Sequence, residues 1–420
     1  MTTLQYLALG VFVAIFALAM WRGTNMGVLA LAGTFLVGTL AFGLEADELI
    51  AGWPASLMLT LIGVTFLFGI ARENGTIDRV VHGAVAAVGG RLFWIPWVFF
   101  LLAAFITGAG AVTPATNAIL VPVGLALAAR YKINPVLVGV SILNGTNAGA
   151  FSPIAIYYNI IAEALDKVGL HLDAGPVFLA TFVVNTLLNV AAFVVFGGMK
   201  LRGQTADATD TGTVADGYGE AAGTTGWRPV QLFTLVVLLA VTVAALLKVD
   251  IGFASITGAV VLALIAPATA TKGAQHIAWS VILLIGGIIT YVSMLQSVGT
   301  VEAASDSIAG LGSPILVALL LLFVAGLTSA FASTIAMFGI LVPLTAPMID
   351  SGALPLMGFA IALAVAASAV DSSPMSTGGA LVVANSPEDR QQVVFTRLLQ
   401  WGLAMVVVAP LVSWLLFVVI

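Results

Sequence analysis

The chain repeats one pattern of residues at a fixed separation, and this repeat limits the possible folds more than any other feature. The phrase Ile-Leu-Val-Pro ends at Pro122 and again at Pro343, and the pair Ser-Pro ends at Pro153 and again at Pro374. Both pairs are 221 residues apart (343 − 122 and 374 − 153), so the chain holds an internal duplication without a gap over this stretch. Duplicated halves with helix-breaking residues at matching positions are typical of secondary transporters, whose site lies where the halves meet.

Composition places the duplicated chain in a membrane. Of its 420 residues, 61% are hydrophobic and 8% are charged, which is too few charges for a water-soluble surface. Many apolar runs are separated by short polar stretches, and this pattern predicts one polytopic membrane domain. The chain has no cysteine, which excludes disulfides and thiolate metal sites. A net charge of −5 spread over the loops gives no indication of a nucleic-acid partner.

The same order of segments is expected in both halves. We predict a first inverted repeat over 1–200, a second over 228–420, and between them a flexible cytoplasmic linker, 201–227, which is rich in Gly, Thr, Ala and Asp. The fold class is therefore an all-α polytopic membrane protein with about ten transmembrane helices, two re-entrant hairpins and two broken helices. The hairpins are predicted at 93–131 and 313–348, the broken helices at 135–163 and 355–384, and interfacial stretches at 76–90 and 299–311.

The distribution of basic residues predicts the orientation. Five full crossings in each half, an odd number, require the two halves to be inserted in opposite directions. With the N-terminus outside, only Lys167 and Lys248 of the 14 Lys and Arg residues fall on the outer side. Because basic residues near span ends favour the cytoplasm, we expect an outer N-terminus in a bacterial-type inner (plasma) membrane.

Polar side chains inside the apolar segments cluster at the hairpin tips and helix breaks. An unpaired polar group in hydrocarbon is costly, so these groups must be buried or solvated. Half-helix N-termini can hold an anion, and freed carbonyls with Asn, Ser and Thr oxygens can hold a hard cation such as Na⁺. The alternative is that Gly, Ser and Thr only pack helices together.

Three residues stand out from that alternative. Asn144 and Asn147 flank Gly-Thr in a run that continues to Pro153, which favours a function for both amides. Asp371 is the only carboxylate that we place well inside an apolar segment, where ionisable residues usually serve function. A protonated or hydrogen-bonded structural Asp at a helix break remains the other interpretation. The three histidines lie near segment ends in different loops, so no metal other than Na⁺ is expected.

Four stretches of the first half carry a family resemblance. They are residues 63–68 (Gly-Val-Thr-Phe-Leu-Phe) with 74–76 (Asn-Gly-Thr), 95–97 (Ile-Pro-Trp), 129–135 (Ala-Arg-Tyr-Lys-Ile-Asn-Pro) and 145–153. Through them the chain resembles the MatC dicarboxylate (malonate) carrier family, a neighbour of the divalent anion/sodium symporters in the ion transporter superfamily. The resemblance implies an elevator-type carrier in which hairpins and broken helices move against a scaffold, commonly as a homodimer. The chain lacks the Ser-Asn-Thr tips of sodium-coupled relatives, which leaves Na⁺ and H⁺ both open as coupling ion.

The preferred hypothesis is import of a small dicarboxylate such as malonate, coupled to Na⁺ or H⁺, with no other cofactor. The residues expected to contact the substrate are Thr113, Thr116, Asn117, Asn147, Ser152, Ser333, Thr334 and Ser373. Those expected at the coupling cation are Asn144, Thr146, Asn147, Ser368, Asp371 and Ser372. The alternative is a cation/proton antiporter that uses Asp371 and needs no organic anion.

Two other classes are disfavoured. An intramembrane hydrolase is not expected, since no Ser/His pair or two-aspartate arrangement occurs at membrane depth. A channel is not expected, since interrupted hairpins close a pore rather than line it.

Overall fold

The fold is helical throughout the residues that a computed structural model describes, which are 1–22, 24–87, 91–205, 227–247, 249–309, 313–330 and 334–420. Within these residues, the first half has ten α-helices: α1 (Thr3–Arg22), α2 (Met26–Phe42), α3 (Ala46–Ile50), α4 (Ala55–Glu73), α5 (Thr76–Ala87), α6 (Ile95–Gly108), α7 (Thr113–Arg130), α8 (Pro135–Gly149), α9 (Ile156–Asp166) and α10 (Ala174–Val195). The second half has α11 (Pro229–Leu246), α12 (Ile251–Ile265), α13 (Pro267–Gly273), α14 (Trp279–Ser297), α15 (Thr300–Ala309), α16 (Pro314–Ser329), α17 (Thr334–Asp350), α18 (Leu356–Ser368), α19 (Thr377–Ala384) and α20 (Gln391–Trp414).

Helix starts follow from capping residues in the sequence. The side chain of Asn25 accepts a hydrogen bond from the backbone N–H of Gly27 at 2.9 Å and begins α2. In the second half, Asp250 accepts from the N–H of Phe253 at 2.9 Å and begins α12. Because Asn and Asp satisfy N–H groups that the first turn leaves free, these two caps fix the start of matching helices in the two halves.

Among the described residues, five helical segments are long and apolar enough to cross a membrane: Ala55–Glu73, Ala174–Val195, Trp279–Ser297, Leu356–Ala384 and Glu388–Val419. Further apolar helices are shorter; α2, for example, has 17 residues and α12 has 15. Since a crossing needs about 20 apolar residues, length alone does not select these shorter helices as spans. The five long segments are enough to make the chain a multi-pass membrane protein.

Most of the close helix packing falls within two groups, which contact each other where α14 packs against α17. One, which we call the span group, contains α1, α2, α4, α11, α12 and α14; the other, the hairpin group, contains α6–α10 and α16–α20. In the span group, helices of different halves cross closely at glycines: a Cβ at Gly287 of α14 would collide with the carbonyl of Gly27 in α2, and one at Gly63 of α4 would lie 2.8 Å from the carbonyl oxygen of Gly252 in α12. Small residues permit such approaches. The halves are therefore interleaved rather than side by side.

The hairpin group has the more extensive core. Every residue of α8 is buried, and this helix packs against α6, α7 and α10. Gly145 of α8 faces the backbone of α6, where an added Cβ would collide with the carbonyl of Phe100. A helix that is buried on all sides cannot use water to satisfy its polar side chains, so the amides of α8 must find partners inside the protein.

Part of the predicted linker and two short helices differ from the sequence prediction. Within the predicted linker 201–227, residues 201–205 are part of the fold, since the backbone N–H of Leu92 donates to the carbonyl of Gln204 at 3.1 Å; residues 206–226 lie outside the described residues. The short helices α3 and α13 were not predicted, because each is only a turn or two long and lies between apolar runs. Helices α5 and α15 fall within the stretches predicted to be interfacial.

Candidate functional site

Asp371 lies at the break between α18 and α19 and is held by two hydroxyl groups from other elements. Its Oδ1 accepts a hydrogen bond from Thr334 Oγ1 at 2.5 Å, and its Oδ2 accepts one from the hydroxyl of Tyr157 at 3.4 Å. Thr334 begins α17, and Tyr157 lies in the first turn of α9, directly after the other break. The carboxylate thus joins one hairpin tip to both broken helices.

Tyr157 extends this contact to the first hairpin. Its hydroxyl oxygen lies 3.2 Å from Thr113 Oγ1, at the start of α7. The ring centroid lies 5.4 Å from that of Phe151 and 5.4 Å from that of Phe338, and both contacts are edge-on, which fixes the position of the hydroxyl. Thr113, Tyr157, Asp371 and Thr334 form one chain of hydrogen bonds, which we call the Asp371 chain. Sequence reasoning missed Tyr157; its position four residues after Pro153 was the available signal.

The hydrogen-bond donors around the Asp371 carboxylate are neutral. Its donors are hydroxyls, and Thr334 is also bonded to Ser329 Oγ at 2.6 Å. No salt bridge to Asp371 is found among the described residues, so no Lys or Arg side chain there neutralises the carboxylate. A partly buried carboxylate without a basic partner is stabilised by a bound proton or a bound metal cation. Chemically, the arrangement can therefore take up and release a cation.

The two broken helices also meet directly. Asn147 Nδ2 donates to the backbone carbonyl of Ser368 at 2.8 Å, and both residues are buried. The hydroxyl of Ser368 bonds within its own helix, to the carbonyl of Ala364 at 2.7 Å. The predicted importance of Asn147 has a structural counterpart: this amide connects α8 to the end of α18.

Two of the predicted amides keep an unused polar atom. Asn117 Oδ1 in α7 and Asn144 Nδ2 in α8 are buried without a hydrogen-bond partner. Leaving a buried polar atom unpaired costs about 1–3 kcal/mol. One is an acceptor and the other a donor, and each is available to a ligand that carries the complementary group.

The other predicted residues that the structure describes make hydrogen bonds outside the Asp371 chain. Thr116 accepts from Thr107 at 3.0 Å, and Ser152 donates to the carbonyl of Gly108 at 2.5 Å, which ties the first break to the first hairpin tip. The hydroxyls of three others bond to backbone groups nearby in the chain: Thr146 to the carbonyl of Leu143, Ser372 to that of Ala369, and Ser373 to the N–H of Met375. Ser333 lies outside the described residues.

No group of three or more His, Cys, Asp or Glu residues that could hold a metal ion occurs in the part of the chain that the structure describes. His276 Nε2 lies 2.7 Å from Glu73 Oε1, and His171 Nδ1 lies 2.7 Å from Asp166 Oδ1. The His171–Asp166 pair is exposed and the His276–Glu73 pair is partly exposed, and neither includes a residue of the hairpin tips. They are separate from the Asp371 chain.

The first part of the chain has a counterpart among known families. Residues 2–150 match the family model of the dicarboxylate carrier protein MatC N-terminus. This match confirms the resemblance read from residues 63–68, 74–76, 95–97 and 129–135, and it covers the stretch 145–153 as far as residue 150. It includes α1–α8 and hence the first hairpin, Asn144 and Asn147. No curated protein matches the chain.

The whole fold has a solved counterpart. The crystal structure of the Alcanivorax borkumensis YdaH transporter, described as having an unusual topology, superposes with a TM-score of 0.59 over 89% of this chain and 89% of that one. The sequence identity is 14%, so the likeness concerns the fold alone. Together the two comparisons support a transporter rather than an enzyme.

Proposed function

We propose that the protein is a secondary active transporter that imports a small dicarboxylate such as malonate, coupled to Na⁺ or H⁺, by an elevator mechanism. The observation that carries the proposal is the Asp371 chain, in which the second hairpin and both broken helices meet at one carboxylate and the first hairpin is joined to it through Tyr157. A coupling cation bound there would lie beside Thr334 and Tyr157 and would be linked to the first hairpin through the bond of Tyr157 to Thr113. Its arrival or loss would therefore change how these elements pack, as ion coupling requires.

The anion would be held by neutral groups. Helices α7 and α17 begin at the hairpin tips, at Thr113 and Thr334, and their first N–H groups form the positive ends of helix dipoles. Asn144 Nδ2 adds a buried donor that has no partner. Dipoles and amide donors suit carboxylates that must be released again, because a fixed Arg partner would bind them more tightly.

Inversion of the two halves is supported by contacts that exchange between them. A two-fold axis brings residues near it close to their own equivalents, and Asn147 bonds to Ser368, 221 positions later. The same shift relates Asn117 to Phe338 and Tyr157 to Gly378. Tyr157 packs on Phe338, and a Cβ on Gly378 would lie 3.2 Å from Asn117 Nδ2, so the two contacts are exchanged copies of one another.

An elevator mechanism is proposed from the division into two groups of helices. The hairpin group carries the Asp371 chain, and the span group is joined across the halves by glycine crossings. The proposed motion is a displacement of the hairpin group against the span group. The outer N-terminus, the bacterial-type inner membrane and the homodimer are further parts of the proposal, and they rest on the basic residues and on the family resemblance.

The test is uptake of radiolabelled malonate into proteoliposomes that contain the purified protein. Uptake is measured with an inward Na⁺ gradient, an inward H⁺ gradient, or neither. Stimulation by one gradient is expected and identifies the coupling ion. Absence of uptake under all three conditions would count against a dicarboxylate carrier.

Asn147→Ala is the matching site variant. It removes the amide that bonds to the carbonyl of Ser368, so we expect malonate uptake to be lost while the protein still purifies as a folded species. Asn385→Ala is the control, because this exposed amide bonds only to the Leu381 carbonyl, one turn back in α19. Wild-type uptake by Asn147→Ala would reject the proposed site.

A cation/proton antiporter is the second candidate, and one observation favours it. Asp371 is bound by hydroxyls alone, and such a site can exchange Na⁺ for H⁺ without an organic anion. The discriminating measurement is ²²Na⁺ efflux driven by a proton gradient in malonate-free proteoliposomes. Exchange there, with no malonate uptake, would favour the antiporter over the carrier.

A further inference from the structure

A cavity of about 440 Å³ lies where the chain enters the first hairpin and where it leaves α10. We call it the arginine pocket; it is lined by Arg91, Phe93, Trp94, Arg202, Gly203, Gln204 and Thr205. It is remote in sequence from the Asp371 chain and shares no residue with it. The proposed transport mechanism gives it no role.

The backbone, rather than chance contact of side chains, brings the two arginines together. Arg91 and Thr205 form an isolated antiparallel bridge, and the N–H of Leu92 donates to the carbonyl of Gln204 at 3.1 Å. Gly203 turns the chain between Arg202 and this contact with a φ of +83°, a conformation that favours glycine. Both arginine positions are thus fixed by one short backbone clamp.

The arginines have no counter-ion in the described part of the chain. Both side chains are exposed, and neither has a salt bridge or hydrogen bond to a described residue. Both arginines line this one pocket, where like charges repel each other, and an anion bound between them would remove that repulsion. Their planar forks suit phosphate, which they bind with paired N–H donors.

The surroundings identify the source of the phosphate. The pocket lies at the ends of the apolar helices α6 and α10, and Trp94 beside it is 49% exposed. The ring of Phe93 packs on Phe193 of α10 at 5.0 Å, which anchors the clamp to the helix end. Exposed Trp at the end of a membrane helix lies at the level of the lipid headgroups. A soluble anion would gain nothing from the exposed Trp94 ring, so this ring favours a lipid as the ligand.

We propose that the arginine pocket binds the phosphate of an anionic phospholipid of the cytoplasmic leaflet, with Arg91 and Arg202 on the phosphate and Trp94 beside the glycerol and the upper acyl chain. Basic pockets between membrane helices on the cytoplasmic side commonly take such headgroups. The site adds a lipid-binding function to the proposed carrier and does not depend on which substrate is carried.

The experiment is native mass spectrometry of the full chain in detergent, titrated with phosphatidylglycerol or with phosphatidylcholine of the same acyl composition. Wild-type protein should retain phosphatidylglycerol at least about tenfold more tightly than phosphatidylcholine. R91Q/R202Q should lower that affinity for phosphatidylglycerol at least about tenfold, because each charge-assisted hydrogen bond is worth tenfold or more. R397Q is the matched control, since it removes an exposed arginine whose bond is to Gln400 on its own helix.

Two results would overturn the proposal. One is phosphatidylglycerol binding by R91Q/R202Q that equals that of R397Q. The other is displacement of the lipid by millimolar inorganic phosphate, which would make the pocket a site for soluble anions. Where R91Q/R202Q fails to fold, R91K/R202K replaces it: both charges are kept but the forks are lost, so weaker binding is expected and wild-type binding would reject the assigned contacts.

Discussion

Asp371→Asn separates the chemical role of the carboxylate from its structural role. The amide has nearly the same shape as the carboxylate, so its oxygen can still accept from Thr334 and its NH₂ can donate to the hydroxyl oxygen of Tyr157. The proton of Tyr157 can then turn to Thr113, 3.2 Å away. Every hydrogen bond of the Asp371 chain therefore has a replacement, and only the charge and the titratable proton are lost.

The expected cost in stability is small. Two hydrogen bonds to a charged group become neutral ones, which loses about 1 kcal/mol each. The loss is partly offset because an ionised group no longer has to be kept partly buried. We expect the free energy of unfolding to fall by at most about 2 kcal/mol, whereas coupling to the ion gradient should disappear altogether.

The assay compares two kinds of malonate transport in proteoliposomes. In Asp371→Asn, gradient-driven uptake should be lost, while exchange of labelled for unlabelled malonate at equal ion concentrations should persist. Asp350→Asn is the control, because this exposed carboxylate lies at the far end of α17. Gradient stimulation of Asp371→Asn at the wild-type level would refute the assignment of Asp371 as the coupling site.

Two further substitutions test the surroundings. Tyr157→Phe keeps the ring contact with Phe338 but removes the hydroxyl. We expect malonate uptake to fall strongly, and thermal unfolding should show a stability loss of about 0.5–1.5 kcal/mol. Uptake unchanged from wild type would exclude the hydroxyl from the site. Gly145→Val should abolish folding, because a Cβ at this position would collide with the Phe100 carbonyl. Gly175→Ala is the control and should be neutral, because a Cβ there has no atom within 4 Å. A monodisperse Gly145→Val species in size-exclusion chromatography would contradict the packing of α6 on α8.

Most of the helices could be predicted because helices that span a membrane appear in the sequence as long apolar runs. Apolar runs bounded by Pro, Gly and basic residues set α4, α10 and α14, and the repeat at 221 positions placed the hairpins and breaks in register. The short helices α3 and α13 could not be predicted in this way. Each is too short to show a period, and its ends are set by contacts with neighbouring helices.

The site was predictable in part, for a different reason. Asp371 and Asn147 stand out because charges and amides are costly in hydrocarbon, so their positions alone indicate a function. Tyr157 does not stand out, because an aromatic residue in an apolar helix usually packs against others. Its hydroxyl gains significance only when the chain folds and brings it to Asp371, 214 residues away. Such partnerships between distant residues are set by tertiary packing and leave no local pattern.

The duplication also bears on the direction of transport by the proposed carrier, because only one of the two halves has the carboxylate. Under the proposed two-fold relation, the position matching Asp371 in the first half is Ala150, and the position matching Tyr157 in the second half is Gly378. A fully symmetric carrier would work at the same rate in both directions across the membrane. In the proposed carrier, a charged residue present in only one half makes the two sides inequivalent, so a coupling ion would leave toward one side through different groups than toward the other. The final gradient is fixed by thermodynamics, but the protein can act as a rectifier on the way to it.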